Sequence, residues 1–186
     1  MEPGRSSTKL TYDDYVLLPD DGLRHEIIDG EHYVTAAPNT RHQRIAGRLF
    51  HLLQLHLDSH PIGEVFVAPF DVVLSRFDIV EPDLIFLSRS RAHLLTEKNL
   101  QGAPDLAIEI LSPSTRSRDE RLKRDAYERT GGDEYWLVDP DENTIVVFRR
   151  GAAGFQEPVR LSKASGHPLT TPLLPGLALQ LDTVFA

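Results

Sequence analysis

At 186 residues, with 40% hydrophobic and 26% charged residues, the chain has the size and composition of one globular domain with a buried core. It holds no cysteine, which excludes disulfides and thiolate metal sites, and its formal net charge of −8 repels a polyanion at long range unless cations cluster locally. No apolar run approaches the roughly 18 residues of a membrane helix, and MEPGRSSTKL lacks the apolar core of a signal peptide, so a cytoplasmic protein is expected.

Residues 1–9 read as a disordered tail ahead of a single domain over 10–186. Thr11 is placed to cap a short helix through TYDDYVLL, with Asp13 and Asp14 in its first turn and Pro19 as its stop. LRHEIIDGEHYVT has the form of a hairpin turned at Asp29-Gly30, in which Glu26 can face either side. Thr40 would cap a packing helix over about 42–56, where Ile45, Leu49, Leu52, Leu53 and Leu57 recur at helical spacing. His42, in its first turn, is a site candidate because helix starts favour anion or water contacts. His51, His56 and His60 read as solvated surface residues. EVFVAPFDVVLS supplies two strands, or one bent at Pro69.

Two further runs carry an anomaly each. IVEPDLIFL is a buried-strand pattern with Asp83 at its mouth, and DLAIEILSPS is another in which Glu109 stands where Val or Ile is expected. A carboxylate does not stay ionised in a dry core without a cation, a donor network or water beside it. Residues 88–102, between these strands, read as a short helix and a loop. The Ser112-Pro113-Ser114-Thr115 turn then leads into a helix over about 117–130, with Leu122, Ala126 and Tyr127 as its buried stripe and Gly131-Gly132 as its end. Its arginines, interleaved with Asp119, Glu120 and Asp125, read as a salt-bridged solvated face. DEYWLVDP and residues 144–149 form a hairpin, residues 155–161 an edge strand, and LPGLALQLDTVFA a strand with a helical turn. The class is mixed α/β (α+β), helices on a central sheet with antiparallel hairpins.

Two carboxylates converging from buried strands suit a hard cation, Mg²⁺ or Mn²⁺, bound with waters and phosphate oxygens. Lys123, on the helix after the Glu109 strand, would orient or deprotonate a water or hold a scissile phosphate. The competing reading is structural: Glu109 pairs with Lys123 or an arginine, and Asp83 caps a turn after Pro82.

EPD at Glu81 to Asp83, DLAIEILSPST, KRDAYERTG from Lys123 and EYWLVDP, together with HEIIDGE, NTRHQRIAGRL and LPGLALQLDTVF, closely resemble the Uma-type family of candidate endonucleases. That family, long catalogued as a domain of unknown function, belongs to the restriction-endonuclease-like PD-(D/E)XK superfamily. The resemblance covers nearly the whole chain and implies a central mixed sheet flanked by helices. It implies Asp83 and Glu109 as metal ligands, with the main-chain carbonyl of Ile110 as a third. The superfamily's lysine falls two residues after the glutamate, where this chain has Leu111; the family points instead to Lys123. Glu26 matches an acidic position, as an added ligand or water-orienting group, beside its reading as a surface hairpin carboxylate. Tyr127 matches a further position of the family, as core with its hydroxyl near the site. The implied activity is that of a Mg- or Mn-dependent endodeoxyribonuclease acting on DNA, with a homodimer as one way to reach both strands. Two alternatives stand beside it: an inactive nuclease-fold binding or assembly module, and a hydrolase of a small phosphorylated ligand.

Overall fold

Two mixed sheets lie face to face in the computed structural model, which describes residues 8–186. Of the tail expected over 1–9, all but Thr8 and Lys9 lies outside the described residues. Lys9 is held, paired with Asp29 across the hairpin turn.

The smaller sheet runs β2-β1-β5-β4-β7, from β1 (Arg24–Ile28), β2 (Glu31–Thr35), β4 (Val72–Ser75), β5 (Asp78–Val80) and β7 (Leu100–Gln101). The larger runs β11-β10-β9-β8-β6-β3, from β3 (Gly63–Val67), β6 (Leu84–Ser88), β8 (Leu106–Ile110), β9 (Glu134–Asp139), β10 (Thr144–Gly151) and β11 (Gly154–Phe155), with β12 (Val159–Ser162) also on β10. The helices are α1 (Tyr12–Tyr15), α2 (Thr40–Ser59), α3 (Arg124–Thr130), which continues a π-helical turn over Arg118–Lys123, and α4 (Leu181–Val184). Among the described residues no helix is long and apolar enough to cross a membrane.

The period of two along each strand sorts the core. Ile108 and Ile110 of β8, Leu84 and Phe86 of β6, and Trp136 and Val138 of β9 face α2, whose Ile45, Leu49, Leu53 and Leu57 cover them. Ala107, Ile85, Leu87, Tyr135 and Leu137 face the other way, onto Ile28, Val72 and Val80 of the smaller sheet and Ala126 and Tyr127 of α3. Both faces of the larger sheet are therefore covered, which is why its strands read as continuous apolar runs. Each fully buried leucine, isoleucine or phenylalanine here contributes about 1.5–3 kcal/mol. Ile27, Val73 and Ile79 form a third, smaller cluster beneath Tyr12 and Tyr15.

Glu109, one residue from Ile108 and Ile110, consequently points into the seam between the sheets. Antiparallel pairing of β6 with β8 ends at Leu84↔Ile108, so Asp83, one step further on, arrives beside Glu109 and Ile110. Parallel pairing of β8 with β9 opposes Glu109 to Leu137. Register thus brings the two anomalous carboxylates to one end of one sheet.

Several local expectations need correction. The first helix stops at Tyr15, after the Asp14 carboxylate has accepted from both the N–H and the hydroxyl of Thr11 at 2.8 Å. Asn39, not Thr40, caps α2, its Oδ1 accepting the His42 N–H at 2.9 Å, and α2 runs on to Ser59. β3 and β4, on either side of Pro69, belong to different sheets. The expected edge strand over 155–161 is two short strands, and the last expected strand is a single bridge, Leu169↔Leu179. Leu122 is 38% exposed, because the inward positions run Asp119, Lys123, Ala126 and Tyr127 and Leu122 lies off that line. The residue that turns in is the lysine, 2% exposed.

Candidate active site

A cleft of about 180 Å³ opens at the carboxyl end of β8, with Glu26, Asp83, Glu109, Asp119 and Lys123 in its wall. A wider hollow of about 410 Å³, walled in part by Leu23, Pro38, Ala46 and Val67, shares Arg24, His42 and Asp83 with it. Every one of the five is nearly inaccessible.

Lys123 is the centre of the cluster. Its Nζ stands 2.6 Å from Glu26 Oε1, 2.9 Å from Glu109 Oε1 and 3.5 Å from Asp119 Oδ1, so three carboxylates from β1, β8 and the π turn surround one ammonium. Glu26 Oε1 also accepts the main-chain N–H of Glu81 at 3.0 Å. Asp83 is held separately: Oδ1 accepts from Arg24 Nη1 at 3.0 Å, and Oδ2 accepts the Ile110 N–H at 2.8 Å and lies 3.1 Å from His42 Nε2. Arg24 Nε stands 2.6 Å from Glu81 Oε1. Arg118 reaches the same seam, Nη2 donating to Thr35 Oγ1 at 2.6 Å and Nε 3.7 Å from Glu26 Oε2.

Burial pushes Glu109 well above the ordinary carboxylate range despite Lys123, and Asp119, Asp83 and Glu26 push it the same way. Burial likewise raises Asp119 and Glu81. Glu26 and Asp83 go down: burial opposes their charge, but Lys123 and the Glu81 N–H outweigh it for Glu26, and His42, Arg24 and the Ile110 N–H for Asp83. Lys123 itself is driven well above the usual lysine value, because Glu109, Glu26 and Asp119 outweigh its desolvation. It stays an ammonium at any ordinary pH.

The charges do not balance. Glu26, Glu81, Asp83, Glu109 and Asp119 face Arg24, Arg118 and Lys123, leaving two negative charges over when all are ionised. Asp119 Oδ1, His42 Nδ1 and the Tyr127 hydroxyl are buried with no hydrogen-bond partner among the described residues. An excess of two carboxylate charges, with all-oxygen donors beside an open cleft, suits a hard divalent cation. Among the described residues no three His, Asp or Glu side chains already stand as a preformed metal-binding group; lysine and arginine fill the space between the acids instead.

Asp83, Glu109, Lys123 and Glu26 are thus brought together, with Glu26 turned inward rather than lying on the hairpin surface. Ile110 contributes its N–H to Asp83, His42 reaches the same carboxylate, and Tyr127 is core beneath the cluster. Asp119 and Arg118, expected on a salt-bridged solvated face, turn inward instead, Asp119 to Lys123 and Arg118 to Glu26, and Arg24 and Glu81 carry no site role in the sequence reading. For Arg24 a signal existed: it lies two residues before Glu26 on one strand, hence on the same face. His56 and His60 stack at the far end of α2, with ring centroids 4.5 Å apart.

Fold and cleft together define a mixed α/β domain with an acid–lysine cluster at the end of its central strands. A crystal structure described as a putative nuclease of the DUF820 family, from Anabaena variabilis, superposes with a TM-score of 0.80 at 23% identity, covering 95% of this chain and 97% of that one; the likeness establishes a shared fold. The Uma2 family model, described as "Putative restriction endonuclease", matches residues 12–182, and the chain belongs to that family. The comparison with curated proteins gave no match.

Proposed function

We propose that the protein is a divalent-metal-dependent endonuclease that hydrolyses phosphodiester bonds of DNA, using Asp83, Glu109, Lys123 and Glu26. The observation that carries this is a fully buried lysine held by three carboxylates at the wall of an open cleft whose acids outnumber its cations. Asp83 and Glu109, with the Ile110 carbonyl, would hold Mg²⁺ or Mn²⁺. Bound there, the ion lowers the pKa of a water and neutralises charge on the phosphoryl group. Lys123, fixed as an ammonium, serves as a donor: it steadies a phosphate oxygen and keeps Glu26 and Glu109 aimed at the cleft, and it does not take a proton. Glu26, held ionised, orients the water. Because the cluster draws on both sheets, residues 10–186 act as one domain.

The test is calorimetric titration of Mg²⁺ and Mn²⁺ into the wild type, Asp83→Ala and Glu109→Ala, with plasmid nicking on the same samples. Binding and nicking by the wild type, both lost in the two variants and nicking lost in Lys123→Ala, is the expected result. A second reading is favoured by one observation, that Asp83 and Lys123 already have protein partners for their charges. On that reading the cluster is a structural ion network in a binding module. A wild type that takes up neither ion and cuts no plasmid would establish it and overturn the first.

A further inference from the structure

Arg41, Arg44 and Arg48 recur at three- and four-residue spacing, so they form a ridge on one flank of α2, beside its buried stripe. Among the described residues, Arg24, Arg91, Arg116, Arg118, Arg124, Arg129 and Arg149 pair with carboxylates, and the other arginines that do not, Arg76, Arg89, Arg121, Arg150 and Arg160, do not recur along one helix face as Arg41, Arg44 and Arg48 do. Among the described residues no Asp or Glu side chain comes within 4.0 Å of Arg41, Arg44 or Arg48. Arg41 donates to the neutral Asn143 Oδ1 at 2.9 Å, which steadies its guanidinium without cancelling the charge, and Arg48 turns to the main-chain oxygens of Val184 and Ala186. The Arg44 side chain makes no hydrogen bond among the described residues and is exposed.

The placement runs against the helix's own electrostatics. The first turn of α2 contains no acid, and Asp58, near the far end, is the only acidic residue in its twenty. Cations at a helix start are opposed by the helix dipole, and Arg44, exposed in the second turn, has no partner that would explain it there. They concentrate positive potential on a chain whose net charge is −8. They also stand next to the cleft. The same helix start carries His42 to Asp83, and Arg41 meets Asn143 in the turn after β9, the strand parallel to β8 whose end forms the cleft.

We propose that this ridge, led by Arg41 and Arg44, holds the phosphate backbone of duplex DNA and lays it across the cleft. The proposal rests on the nuclease reading and names the surface that grips the substrate. From Arg41 to Arg48 the helix rises roughly 10 Å, about three base-pair rises of ~3.4 Å along the duplex axis. The contacts are to backbone and carry no sequence preference.

The experiment is fluorescence anisotropy with a labelled 20-base-pair duplex in EDTA, over a range of KCl concentrations, on wild type and on Arg41→Gln/Arg44→Gln. Arg121→Gln, which removes an exposed unpaired charge elsewhere, is the control. The expected result is weaker binding by the double variant, equally for unrelated duplex sequences, with the slope of log affinity against log salt shallower by about two units; Arg121→Gln and the thermal midpoint stay as in wild type. Binding and slope unchanged in the double variant would overturn the ridge, and plasmid nicking by the wild type would then leave the nuclease reading standing. A wild type that ignores duplex but binds phosphatidylserine vesicles would overturn it too, with nicking again deciding the nuclease reading separately.

Discussion

Lys123 is the residue on which the site depends, and its removal has two separable effects. Without its ammonium, Glu26, Glu109 and Asp119 are left buried and mutually repelling. Breaking a buried ion cluster from one side costs about 3–5 kcal/mol, so Lys123→Met should lower the thermal midpoint by roughly 10 °C, read by calorimetry. Glu109→Gln should do the opposite or nothing, since it discharges the acid that burial most disfavours while Glu26 and Asp119 still hold the lysine. The shifts also fix a sign with pH. Glu109, Asp119 and Glu81 have folded values above the ordinary range, so the stability they confer is present below that range and lost as pH rises through the raised values. Glu26 and Asp83 have depressed values, and their stabilisation is lost only as pH falls through them. Between about pH 5 and 8 the first group decides, and the metal-free midpoint should fall as pH rises, more steeply in wild type than in Glu109→Gln. Glu109 was legible in the sequence because a carboxylate inside an apolar run has no bland explanation. Lys123 was legible only through resemblance, since a lysine among four arginines on a charged helix has no local mark of burial.

At the scale of elements, α2 places both His42 and the arginine ridge, and its start is fixed by one side chain. Asn39→Ala removes the acceptor of the His42 N–H and should destabilise the protein by about 1 kcal/mol, a fall of about 2–4 °C in thermal midpoint; Asn39→Asp should keep the cap. Chemical denaturation of the two variants checks this. The hydrophobic period found α2, the β1–β2 hairpin turned at Asp29-Gly30 and the β9–β10 hairpin, because each is specified by residues close in sequence. It missed the π turn over Arg118–Lys123. An i to i+5 winding changes no composition, so the sequence around it reads as ordinary helix.

For the whole molecule, the division of strands between two sheets was not readable, because β1 with β5 and β4 with β7 pair across long stretches of chain and pairing of that kind leaves no periodic trace. On the proposed function, the seam this creates would link ion binding to folding. On the proposed function, Mn²⁺ at a hundredfold excess over its dissociation constant should stabilise the wild type by about 2.7 kcal/mol, roughly 5–10 °C, and should leave Asp83→Ala unmoved; scanning calorimetry with and without the ion tests it. The seam also sets a clock. Glu26 on β1 and Lys123 at the end of the π turn are separated by nearly a hundred residues, and the cluster closes only when both sheets meet. At a synthesis rate of about 5–20 residues per second, a ribosome makes the first several seconds before the last, and a nascent chain that stops short of Lys123 holds Glu26, Asp83 and Glu109 without the ammonium that gathers two of them. On the proposed function, cutting waits for the last of these residues, so the order in which the chain is written delays activity until both sheets have met.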